Sequence, residues 1–146
     1  IALASLNKYM KGIFVNRKIK DDTALKVGKT VGLTPNDPEF MTVSLSGGNA
    51  QKVILAKWLS TDADILIMDE PTKGIDIGAK AEIYKLMEEI VASGKSIIMV
   101  SSEMTEVVGM SDRMLIMREG HLVGELEREE FEEERIITYA VGGSQT

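Results

Sequence analysis

Two short, unbroken apolar runs constrain this chain more than any other feature: ILIM at residues 65–68, and SIIMV at 96–100. Each is too short for a helix and is bounded by polar or turn residues, so each is expected to be a strand buried on both faces. Between them, Gly78 to Ala92 carries Ile83, Leu86 or Met87, and Ile90 at helical spacing and stops at Gly94. Apolar strands that alternate with helices predict a parallel α/β sheet.

The chain has 146 residues, 44% of them hydrophobic, which is material for one ordinary domain with a core. The net charge of −6, with glutamates crowded toward the C-terminus, argues against nucleic acid or an anionic lipid surface as a direct partner. There is no cysteine, hence no disulfide frame and no thiolate metal site, in keeping with a reducing compartment. No apolar run approaches bilayer length and no signal peptide is evident. The chain opens IALASLN without a Met, inside a helical pattern, and is expected to start in mid-protein.

Other elements follow from local chemistry. Residues 1–20 mix apolar and basic side chains around Gly12 and read as a helical or loop segment with a basic face. Residues 21–30 are partly helical, and GLTPNDPEF is a loop set by Gly32, Pro35 and Pro38. Ala50 to Leu59 is a helix with Val53, Ile54, Ala56, Trp58 and Leu59 apolar and Gln51, Lys52 and Lys57 polar. Ser101 to Met110 reads as a short helix with a Ser start, RMLIMREGHLVGEL as two strands around a Gly-His turn, and roughly Glu129 to Val141 as an acidic helix ending at Gly142 and Gly143. The methionines at 99, 104, 110, 114 and 117 are expected in the core. His121, the only histidine, has no partner residues for metal or base work and is expected to be an exposed turn residue.

Two stretches carry chemistry. Asp69 and Glu70 close the first strand at its carboxyl end, where open α/β sheets bind ligands. Neighbours on a strand point to opposite faces, so one acid can serve Mg²⁺ and the other can orient an attacking water. The plainer alternative is a pair of acids at a solvated strand end. SLSGGNAQKV, residues 44–53, sets a hydroxyl and two glycines at a helix start; taken alone, Ser46 there is simply a helix cap.

Order and spacing change the weighing: LSGGN opening a helix, then ILIMDEPT about twenty residues on, then KGID, then a strand ending VSSE. Together these resemble the ATP-binding cassette ATPases, densely over residues 40–125 and more thinly at the ends. LSGGN is similar to that family's signature, ILIMDE to its Walker B strand and Gly74–Asp76 to its D-loop, while Ser102 stands where its switch histidine usually lies. SGGN, KGIDIGAK and SSEMTEVVGMSDR resemble more narrowly the second cassette of the double-cassette ATPases of bacterial sugar importers, the ribose, galactoside and xylose kind.

The resemblance implies an ATP site completed at an interface. Ser46, Gly47, Gly48 and Asn49 would cover the γ-phosphate of an ATP held by a complementary cassette, Asp69 would be the Mg²⁺ partner, Glu70 the catalytic carboxylate, Asp76 the D-loop acid joining the cassettes, and Ser102 the switch position. Asp76 as the cap of the helix starting near Gly78 is an equal alternative, and both roles are compatible. The phosphate loop is not recognisable: TALKVGKT ends in Gly-Lys-Thr, but Thr23 replaces the first glycine, no strand precedes it and no helix follows, so Lys29 is read as a decoy. The expected fold is therefore an incomplete P-loop NTPase-like parallel α/β sheet without its phosphate-loop strand. Residues 1–60 would be a partial helical subdomain ending in the signature helix, and 61–146 the C-terminal part of the ATPase core. Such a chain is expected to be inactive alone and to self-associate through the vacated strand position. In complete form it would hydrolyse ATP with transmembrane permease subunits, at the inner face of a bacterial membrane. The alternative is a non-catalytic module that docks on an intact cassette or its membrane partner.

Overall fold

The computed structural model describes residues 1–11, 13–61 and 63–142, which form two compact units, residues 1–98 and 99–146. Gly12 and Gly143 lie outside the described residues.

The first unit begins with a 3-10 segment, Ala2–Tyr9, and a two-residue-per-strand hairpin, β1 (Met10–Lys11) and β2 (Phe14–Val15). Helix α1, Arg17–Thr30, is capped by Asn16, whose side chain accepts from the Ile19 amide, so the helix starts earlier than the loosely helical stretch expected from residue 21. Its end is a Schellman stop: Gly32 takes a φ of +62°, its N–H donates to Lys29 O, and Leu33 N–H donates to Gly28 O. A loop follows to helix α2, Gly47–Leu59. Ser5 and Ser60 share a 2.9 Å hydroxyl contact and Lys8 Nζ donates to Ser60 O, which pins the 3-10 segment to the C-terminal end of α2.

Strand β3 is Ile65–Asp69, helix α3 Ile77–Ala92 and strand β4 Ser96–Val100, with β3 and β4 paired in one sheet. Helix α3 buries Ile83, Leu86, Met87 and Ile90, the stripe its periodicity foretold, and ends before Gly94 at φ +91°. Expectation and structure part company on the strands. Leu66 and Met68 are buried, but Ile65 and Ile67 are 59% and 73% exposed, and Ile98 is exposed on β4. One face of β3 is packed; a continuous apolar run cannot distinguish that from burial on both faces. In α2 the buried side chains are Lys52, Leu55 and Ala56, whereas Ile54 and Trp58 are half exposed.

The second unit is built on the antiparallel hairpin β5 (Arg113–Arg118) and β6 (His121–Glu127). Glu119 and Gly120, both at positive φ, form its two-residue turn, the conformation that matches strand twist. His121 is thus the first residue of β6, opposite Arg118, and not part of the turn; it is exposed, as expected. Helix α4, Met104–Met110, starts later than Ser101. Helix α5, Glu133–Val141, follows a 3-10 turn at Arg128–Glu130 and closes at Gly142 in the left-handed conformation. Met114, Ile116, Leu126 and Ile136 form the core here, while Met117 is 60% exposed because it falls on the outer face of β5. No helix among the described residues is long and apolar enough to cross a membrane.

Candidate functional site

Ser46 lies in extended conformation as the N-cap of α2 and accepts from both the Asn49 amide and Asn49 Nδ2, the latter at 3.1 Å. Asn49 uses its other side-chain atom to accept from the Thr34 amide at 3.0 Å, so it ties the cap to the loop that follows α1. By helix geometry the first amides of α2 have no intrahelical acceptor, and the positive end of the helix dipole lies with them. Gly47 is exposed and Gly48 is buried.

The two glycines have different neighbours. A Cβ on Gly47 would stand 3.9 Å from Gly74 O, and one on Gly48 would collide with Ala79 Cβ at 2.7 Å. The close approach that Gly48 permits is therefore to α3. Asp76 caps that helix, accepting from the Ala79 amide at 2.9 Å. The structure thus brings the LSGGN stretch and the Gly74–Asp76 stretch together within one unit, across the 24 intervening residues 50–73.

Asp69 ends β3 and Glu70 follows it in the turn, not on the strand as expected. Asp69 is exposed; Glu70 is half buried and holds a φ of +49°, a conformation uncommon for a side-chain-bearing residue. Pro71 and Thr72 behind them are fully buried, and the turn is closed by Lys73 N–H to Glu70 O and Ile75 N–H to Thr72 O. Among the described residues no cluster of three acidic or histidine side chains exists to hold a metal alone. A single exposed carboxylate such as Asp69 suits Mg²⁺ only where phosphate oxygens and water supply the other ligands.

Ser102 is exposed in the second unit, on the segment leading from β4 to α4. The engaged hydroxyl is its neighbour's: Ser101 Oγ donates to the carboxylate of Glu106, which is 2% exposed, and accepts from the Glu103 amide. Lys29 sits in the last turn of α1, at the carbonyl end of a helix already closed by the Schellman bonds, which is the wrong pole for a phosphate. Sequence reasoning missed Lys52, which it grouped only as polar with Gln51 and Lys57 on α2. Its ammonium donates to Gly32 O at 3.0 Å and pairs with Glu82 at 2.7 Å. Neither partner is near in sequence, so no local signal pointed to it.

The fold that holds this arrangement is shared with solved ATP-binding cassettes. The ADP conformation of an ATP-binding cassette of an ABC transporter superposes with a TM-score of 0.73 over 94% of this chain and 55% of that one, at 22% identity. A dimeric bacterial ABC transporter cassette gives 0.69 over 86% and 54%, at 23%. Likeness at that identity shows the α/β fold of those cassettes. The family profile described as ABC transporter matches residues 4–73. Over 144 residues, 99% of this chain, there is 47% identity to the ribose import ATP-binding protein RbsA of Oceanobacillus iheyensis, and 45% over 141 residues to the xylose import ATP-binding protein XylG of Geobacillus kaustophilus. The chain is thus similar to the ABC-transporter ATPase family, over residues 4–73 by its profile and along nearly its whole length by these relatives. It spans 29% and 28% of the length of those two relatives.

Proposed function

We propose that this chain supplies the lid of an ATP site whose floor lies on another polypeptide segment, as the C-terminal part of the second cassette of a sugar-importer ATPase. The observation that carries this is the joint packing of Ser46–Asn49 and Gly74–Asp76 on the N-terminal ends of α2 and α3, with Ser46 and Gly47 exposed. A hydroxyl, free helix amides and a helix dipole are the groups a γ-phosphate needs. Asp69 would contribute the one carboxylate of a Mg²⁺ whose other ligands come from phosphate, and Glu70 would face the attacking water. Asp76 would reach a complementary cassette, and Ser102 would occupy the switch position without a histidine's ability to contact the γ-phosphate.

Functionally the chain would divide at residue 60: a partial helical subdomain ending in the signature helix, and then the C-terminal part of the ATPase core without a phosphate-loop strand. Relatives named as ribose and xylose import ATP-binding proteins support sugar import as the parent activity, with permease subunits at the inner face of a bacterial membrane. Alone, the chain would not hydrolyse ATP. The apolar face left by Ile65 and Ile67, beside a two-stranded sheet with open edges, would drive self-association.

The test is Mg-ATP binding by a phosphate-loop cassette, by this chain, and by their mixture. Binding that rises on mixing supports the lid. Equal binding by the phosphate-loop cassette with and without this chain contradicts it.

A further inference from the structure

Lysine is rarely buried unless its ammonium is satisfied, because removing a charge from water costs far more than its stem gains. Lys52 is 9% exposed and lies one turn beyond Gly48 on α2. Its two acceptors come from different elements: Gly32 O in the turn that ends α1, at 3.0 Å, and Glu82 on α3, at 2.7 Å. Residues 48 and 52 on α2, and 79 and 82 on α3, are one-turn neighbours on their helices. The Gly48–Ala79 contact and the Lys52–Glu82 pair therefore form two consecutive rungs between the same two faces. The same lysine holds residue 32, two positions from Thr34, whose amide is bonded to Asn49.

We infer that Lys52 is a positioning residue: it clamps the start of α2, the start of α3 and the loop after α1 into one rigid body, so that Ser46 and Asp76 keep a fixed relation when a nucleotide is presented to them. The inference deepens the lid proposal and rests on it for its functional consequence, but the clamp itself is a property of this chain. One rung is steric and cannot carry direction along the helices; the charged rung, with its extra bond to Gly32 O, is the one that sets register. Lys52 touches no nucleotide in this scheme and acts only through the groups it aligns.

The experiment measures amide hydrogen exchange in the whole chain at Thr34, Asn49 and Ala50, whose N–H groups bond Asn49 Oδ1, Ser46 Oγ and Ser46 O. Lys52→Met is expected to speed exchange at these three amides by about tenfold or more, the worth of a lost charged hydrogen bond, with the Met87–Ile90 amides of α3 unchanged. Glu82→Gln, at a side chain 62% exposed and so tolerated by the fold, is expected to give a smaller rise at the same amides. Lys52→Arg, which keeps charge and donors, is expected to restore protection. In the mixture with a phosphate-loop cassette, Lys52→Met weakens Mg-ATP binding and Lys52→Arg recovers it. Unchanged exchange at the three amides in both Lys52→Met and Glu82→Gln overturns the clamp, as does an equal rise throughout α3. Failure of the unaltered chain to raise binding on mixing overturns the lid instead, and the exchange result then decides the clamp on its own.

Discussion

Gly48 and Ala79 approach so closely that a methyl group on the glycine would come within 2.7 Å of the alanine Cβ. The glycine pair in LSGGN thus divides its work: Gly47 is open toward solvent, and Gly48 lets α2 rest on α3. Gly48→Ala is predicted to cost about 1–3 kcal/mol, the range for overpacking a filled contact, read as a lower urea midpoint. Gly48→Ala with Ala79→Gly is predicted to recover part of the loss. A neutral Gly48→Ala would show that the two helices are not seated on this contact.

Ser46 is both a cap and the proposed phosphate contact, and two substitutions separate these roles. Ser46→Ala should lose about 1 kcal/mol of stability with the cap, together with the gain in Mg-ATP binding on mixing. Ser46→Asp should keep the cap and the stability, yet still abolish the gain, because a carboxylate then faces the triphosphate. Retained binding in Ser46→Asp would limit Ser46 to capping.

Glu130 provides a pH test in the second unit. Its carboxylate accepts from the Glu127 amide at 3.0 Å and, secondarily, from Arg135 Nη1 at 3.0 Å, and these bonds hold it below the usual glutamate range. A depressed folded-state value contributes stability that is present above the unfolded value and lost as pH falls through the folded one. The 3-10 turn at 128–130 should accordingly loosen as pH falls below the ordinary glutamate range. Carboxyl titration by NMR should find Glu130 still depressed in Arg135→Met, since the amide bond is the larger cause. A return to the ordinary value in that variant would assign the effect to the ion pair.

Ile67, 73% exposed on the open face of β3, gives a test of self-association. Analytical ultracentrifugation should show concentration-dependent association of the unaltered chain, reduced in Ile67→Lys. A monomer at all concentrations would contradict it.

What the sequence made legible is what local chemistry decides. Ser46 and Asp76 cap helices because their side chains reach amides three residues on, and Ile83, Leu86, Met87 and Ile90 follow one face of α3. The end of α1 just after Gly-Lys-Thr was legible because Gly32 and Pro35 stop the helix there. Illegible were features that depend on distant packing. The exposure of Ile65, Ile67 and Met117 turns on which sheet face is covered, and period-2 burial is invisible in a run that is apolar throughout. The turn of the β5–β6 hairpin fell at Glu119-Gly120 because a two-residue turn with two positive φ values matches the strand twist, and glutamate gives no sign of that. Burial of Lys52 depends on acceptors 20 and 30 residues away, so no window along the helix reveals it.

Isothermal titration of Mg-ATP into the isolated chain, repeated with a phosphate-loop cassette present, tests the central claim most directly. Negligible heat from the chain alone, and binding in the mixture beyond that of the added cassette, is the predicted result. Saturable binding of one Mg-ATP by the isolated chain, abolished by Lys29→Ala, would place the phosphate cradle within these 146 residues and contradict the account.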